Sequence, residues 1–165
     1  MFNVGEVVMY RRDLCKIDEL VKSDINKELY YVLSPLESEG ARTKIQVPVA
    51  NKAGHLRALI TKEEIDDLIK KVPDIEPIKS RSSNLKSEYS NMMNSGSFED
   101  LIKIIKTTYM KNEERRAAKK AIGSVDESFL QEAEKVLYNE IGYVLNKDFE
   151  ETRQYLIGEI SKSAA

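Results

Sequence analysis

Apolar residues change their spacing once along the chain, near residue 60, and that change narrows the architectures open to it. Before it lie short apolar stretches separated by polar turns. Val7-Val8-Met9-Tyr10, Ile17 to Val21 and Leu29-Tyr30-Tyr31-Val32-Leu33 are strand candidates, the last suited to a buried central strand. Ser34-Pro35 ends it, because proline cannot donate into an interior ladder. Lys44-Ile45-Gln46-Val47-Pro48-Val49 alternates, with Ile45, Val47 and Val49 on one face and Lys44 and Gln46 on the other. Pro48 makes this segment either an edge strand or the end of an internal one. Several short strands joined by polar turns predict a small barrel rather than a flat sheet.

After residue 60 the apolar residues recur at helical spacing. Thr61-Lys62-Glu63-Glu64 is a capping box, followed by Ile65, Leu68, Ile69 and Val72. Pro73 and Pro77 stop that helix and open a linker over 73–83. Leu85, Tyr89, Met92 and Met93 mark a short helix ending near Ser95-Gly96. Ser97 and Ser124 read as caps of two further helices, and Asn146 as the cap of a last one carrying Phe149, Leu156 and Ile160. The expected organisation is α+β: a β-barrel unit with a trailing helix over 1–72, the linker, and an all-helical unit over 84–165.

Composition removes much chemistry. One histidine (His55) and one cysteine (Cys15) cannot build a His/Cys zinc site. A lone cysteine forms no internal disulfide and fits a reducing compartment, so a cytoplasmic protein is expected. Met1-Phe2-Asn3-Val4-Gly5-Glu6 does not read as a signal peptide, and no apolar run has the roughly 18 residues of a membrane helix. There is no phosphate-binding glycine loop and no nucleophile elbow. The carboxylate pairs Glu63-Glu64, Asp66-Asp67 and Glu150-Glu151 read as solvated helix faces. The expectation is a non-enzyme with no catalytic residue, cofactor, metal, membrane or small-molecule substrate.

Net charge of −2 hides an uneven distribution. From Leu101 to Ile122, seven basic residues face two acids; from Gly123 onward, four face nine. Lys79, Arg81 and Lys86 add to the basic side. Such a patch is an electrostatic footprint for phosphates. Basic residues near a helix C-terminus also stabilise its dipole, and the basic and acidic helices can pair with each other, so both explanations stand at this point.

Residues across the chain resemble the CarD family of bacterial transcription regulators. The resemblance rests on Phe2-x-Val4-Gly5-Glu6-x-Val8-x-Tyr10, Tyr31-Val32-Leu33, Ile45-x-Val47-Pro48-x-x-Asn51, Asn84-Leu85-x-x-x-Tyr89, the capped Ser97 helix and Leu137-x-x-Glu140. It implies that the N-terminal unit is a Tudor-like small barrel, similar to the polymerase-interacting domain of the transcription-repair coupling factor. That barrel would dock on the RNA polymerase β subunit, with Ile45, Gln46, Val47 and Pro48 as the contact segment. The helical unit would lie on promoter DNA at the upstream edge of the transcription bubble and stabilise the open complex. Lys79, Arg81, Leu85, Lys86, Arg115, Arg116, Lys119 and Lys120 are the residues placed at DNA.

The chain departs from the family pattern in several places. Leu85 stands where the family carries a tryptophan that wedges into the minor groove; it is either an aliphatic wedge or a core residue. Ser87 and Glu88 replace an expected basic pair, and Gln46 an arginine used on polymerase. Asp24, near another contact position, is not basic. Arg11-Arg12-Asp13 replaces a Pro-Gly turn, and without glycine that turn is expected to take another geometry. An adaptor that binds polymerase without touching DNA is the rival expectation.

Overall fold

Antiparallel pairing organises the first 59 residues. β1 (Val7–Tyr10) pairs with β2 (Asp13–Lys22), β2 with β3 (Leu29–Pro35), β3 with β4 (Ile45–Pro48), and β1 with β5 (Leu56–Arg57). The structure, a computed structural model, describes residues 1–38, 43–79, 82–121 and 123–164. Among the described residues the sheet has five strands in the order β4-β3-β2-β1-β5, which leaves β4 and β5 at its edges. The chain divides into two units, 1–59 and 60–165, and its class is α+β.

Cross-strand register builds the first core. Leu33 lies opposite Ile17 on one side and Ile45 on the other, and Tyr31 lies opposite Val47. These side chains pack with Val8, Cys15 and Leu56. The Tyr31 hydroxyl accepts the Phe2 backbone N–H at 2.9 Å, and the two rings meet edge to face at 6.1 Å. That contact ties down the start of the chain and joins Phe2 of the first quoted pattern to Tyr31 of the second. Burial, helped by Asp13, pushes the Cys15 thiol up to about 11, so this cysteine is a packed apolar residue rather than a nucleophile.

Tyr10 pairs with Asp13, leaving Arg11-Arg12 as a two-residue hairpin turn. Arg11 takes the left-handed conformation at φ 56. Arg11 stands at the place of the pattern's proline, whose ring forbids this conformation, so the turn takes another geometry, as expected, and an arginine bears the steric cost of about 1–2 kcal/mol.

The second unit contains α1 (Lys62–Lys71), α2 (Ser82–Ser95), α3 (Phe98–Ala117), α4 (Ser124–Leu145) and α5 (Phe149–Ala164). Its first helix starts on a complete capping box: Glu64 N–H donates to Thr61 Oγ1 at 3.1 Å, and Thr61 N–H to Glu64 Oε1 at 3.2 Å. Ser97 caps α3 by accepting the Asp100 N–H at 3.1 Å. Ile65, Leu68 and Val72 bury the apolar face of α1 in the same core as Leu85, Tyr89, Leu101, Ile105, Leu137 and Ile141. The sequence reading attaches this helix to the β unit; its packing makes it part of the helical one, and the division falls at 59/60.

Two caps differ from expectation. Gly123, not Ser124, occupies the N-cap of α4, and no side chain caps that end. Asn146, read as the cap of α5, instead closes α4 in a left-handed turn at φ 55, where Lys147 N–H returns to Gly142 O at 2.9 Å. Asp148 caps α5, accepting the Glu151 N–H at 2.8 Å. Asn and Asp two residues apart both suit a helix boundary, and sequence spacing does not separate a stop from a start.

Candidate functional site

In the β unit, the segment of interest is β4. Val49 donates its N–H to Leu29 O at 3.0 Å. Backbone groups alternate along an antiparallel pair, so Ile45 and Val47 turn their N–H and C=O toward β3 as well. The outward-facing residues are Gln46 and Pro48. Proline has no N–H, and its carbonyl already accepts from Asn51 N–H at 2.9 Å. The free edge of β4 thus offers one donor and one acceptor, both on Gln46, whose side chain is exposed. Pro48 occupies a position where a missing donor breaks no ladder bond.

Val47 is buried in the sheet core with its backbone facing β3, so its side chain serves the β unit rather than a partner. Ile45 is half-buried and Pro48 exposed. Asn51 shapes the turn that follows, with φ 50, its side-chain amide donating to Leu56 O at 2.8 Å and its Oδ1 accepting the Leu56 N–H at 3.3 Å. Tyr10, Gln46, Pro48, Asn51 and His55 help line a hollow of about 290 Å³ beside the free edge. Just before β4, Lys44 pairs with Asp18 at 2.7 Å, and that hydrogen bond holds the Asp18 carboxyl below the usual carboxylate range.

In the helical unit the named residues divide sharply. Leu85 is 4% exposed and packs in the helical core, so its side chain is not available as a wedge; this corrects that assignment. Its neighbour Lys86, about 100° further round α2, is exposed. Lys79 is exposed and lies 3.5 Å from Glu76. Arg81 lies outside the described residues. Lys106, one of the seven basic residues of the run, is buried; its ammonium donates to the carbonyls of Val72 and Ile75, and burial lowers its pKa.

Arg115, Arg116, Lys119 and Lys120 are brought together at the end of α3, but not equally. Arg116, Lys119 and Lys120 are exposed, with Arg116 3.0 Å from Glu113. Arg115 is only half-exposed and donates to Asp126 at 2.6 Å. Tyr89 donates to the other oxygen of the same carboxylate at 2.9 Å, and burial with this bond pushes the Tyr89 phenol up. Sequence reasoning missed Asp126, since an acid in the first turn of a helix is ordinary and its partners come from two other helices.

No cluster of three or more His, Cys, Asp or Glu side chains suited to a metal occurs among the described residues. No helix among them is long and apolar enough to cross a membrane. No family model matches the chain, and no curated protein matches it.

Proposed function

We propose that the chain is a CarD-like transcription regulator acting in the cytoplasm. In this reading the β unit curls into a small Tudor-like barrel and binds the RNA polymerase β subunit through β4. The helical unit contacts promoter DNA at the upstream edge of the bubble and stabilises the open complex. The observation that carries the reading is the free edge of β4, the segment that the resemblance assigns to polymerase, with a hollow beside it that suits a partner side chain. Tethering the helical unit to polymerase raises its effective concentration at the promoter, so individually weak DNA contacts suffice. The exposed cations Arg116, Lys119 and Lys120 supply those contacts.

Gln46→Pro tests it. The substitution removes the one outward N–H of β4 and leaves every bond to β3 in place. Co-migration of the full chain with bacterial RNA polymerase should be lost in this variant while its circular dichroism stays that of the wild type. Unchanged co-migration, or none by the wild type, refutes the polymerase contact.

The burial of Leu85 favours a second reading, an adaptor that binds polymerase without touching DNA. The two separate on a salt titration. Contact with about three phosphates gives a log–log slope near −2.7 on duplex DNA, and an adaptor gives none.

A further inference from the structure

The turn between α3 and α4 is pinned from several sides at once. Arg115, in the last turn of α3, donates to Oδ2 of Asp126 at 2.6 Å, and Tyr89 of α2 donates to Oδ1 at 2.9 Å. Asp126 is 3% exposed, so this charge-assisted pair sits where water competes poorly. The guanidinium also covers Gly123: a Cβ there would stand 2.5 Å from one of its nitrogens. Glycine at the start of α4 thus leaves room for the pair.

Between these anchors the chain closes α3 with Lys119 N–H donating to Arg116 O at 3.1 Å and Lys120 N–H to Arg115 O at 2.7 Å. This is the Schellman pattern, and its left-handed position, usually glycine, is held by Lys119 at φ 55. A lysine there carries a steric cost, and such residues persist where their surroundings over-determine them. Both Lys119 and Lys120 are exposed.

We propose that Asp126, acting through Arg115, is a positioning residue that holds the Lys119–Lys120 turn as a preformed contact for two DNA phosphates, and that Arg115 itself touches none. The inference rests on the DNA-contact reading above and deepens it. A turn already in its binding geometry loses less conformational freedom on association than a mobile one.

The test is fluorescence anisotropy of the full chain with a mixed-sequence duplex DNA at several sodium chloride concentrations. Replacing Lys119 and Lys120 by glutamine should shrink the salt slope by about 1.8, the equivalent of two phosphates. Asp126→Asn should weaken binding by about threefold to tenfold, the cost of re-ordering one or two side chains. Charge alone predicts the reverse, because losing a carboxylate and releasing a guanidinium makes the surface more positive. Arg115→Gln added to Asp126→Asn should cause no further loss. Tyr89→Phe keeps the Arg115–Asp126 pair, and it should lower thermal stability while leaving DNA affinity as it was.

Tighter binding by Asp126→Asn overturns the proposal, as does a further slope loss of about 0.9 on Arg115→Gln. Parallel losses of affinity in Tyr89→Phe and Asp126→Asn, in step with stability, overturn it too. No salt-dependent DNA binding by the wild type defeats the DNA reading and this inference with it, and a slope that the double lysine variant leaves unchanged defeats the contact by the Lys119–Lys120 turn alone. A slope reduced by the lysines but an affinity indifferent to Asp126 defeats the positioning role alone.

Discussion

The backbone N–H of Ile60 donates to Oε2 of Glu140 at 2.8 Å, joining the first residue of the helical unit to the C-terminal half of α4. Glu140 is 1% exposed, so this carboxylate has left water to satisfy a buried main-chain donor. The bond fixes where α1 begins relative to α4, within the unit whose core α1 helps to build. Removing the acceptor leaves that donor buried and unpaired. Glu140→Ala should therefore lower stability by about 1–3 kcal/mol, and Glu140→Gln, which keeps an acceptor, by less. Urea unfolding followed by helical circular dichroism measures both.

Local signals were legible where one residue and its chain neighbours decide the outcome. The capping box at Thr61 and Glu64 and the Ser97 cap are of this kind, since donor and acceptor lie three residues apart. Pro48 narrowed β4 to an edge strand or the end of an internal one, because a residue without N–H breaks an interior ladder, and the strand order decides for the edge. The division of the chain was less legible: Pro73 and Pro77 look like a boundary, yet α1 finds its apolar partners in the helices beyond them. Charge was least legible. Counting makes Lys106 and Arg115 part of a basic patch, but backbone carbonyls hold the buried ammonium of one and Asp126 pairs with the other. Which cations stay solvated is decided by tertiary contacts that spacing does not encode.

Gly142 and Gly158 offer a paired test of close helix packing. A Cβ on Gly142 would lie 2.7 Å from Thr152 Oγ1 and 2.9 Å from the Lys147 carbonyl, whereas one on Gly158 would meet nothing within 4 Å. Gly142→Ala must push α4 from the turn that follows it, at about 1–3 kcal/mol. Gly158→Ala meets no such obstacle and should gain up to about 1 kcal/mol from helix propensity. Opposite shifts in melting temperature are expected. Equal shifts would contradict the close approach at Gly142.

Leu85 separates a packing role from a wedge role. Its side chain fills the core around Tyr89 and Leu101, so Leu85→Ala should cost about 2–5 kcal/mol. Leu85→Met, which conserves volume, should cost under about 1.5 kcal/mol. Any loss of open-complex lifetime should follow the unfolded fraction and recover on cooling. An alanine variant with full stability but a short-lived open complex would restore the wedge.

Glu134 sets a pH dependence whose direction the surroundings determine. It is 6% exposed, lies 3.3 Å from Arg153, and neighbours the phenol groups of Tyr109 and Tyr138. Burial pushes its carboxyl above the ordinary value of 4.5, and Arg153 offsets only part of that shift. A proton therefore binds more readily to the folded chain than to the unfolded one. The group's stabilisation is full below 4.5 and is lost as pH rises through its higher folded value. Glu134→Gln removes this dependence. The stability of the variant relative to the wild type should be most favourable near neutral pH and should decline as pH falls toward 4.5. Urea unfolding of both proteins across that range measures the difference, in which the other carboxylates cancel. A difference that instead grew on acidification would mean that the pair with Arg153 outweighs burial.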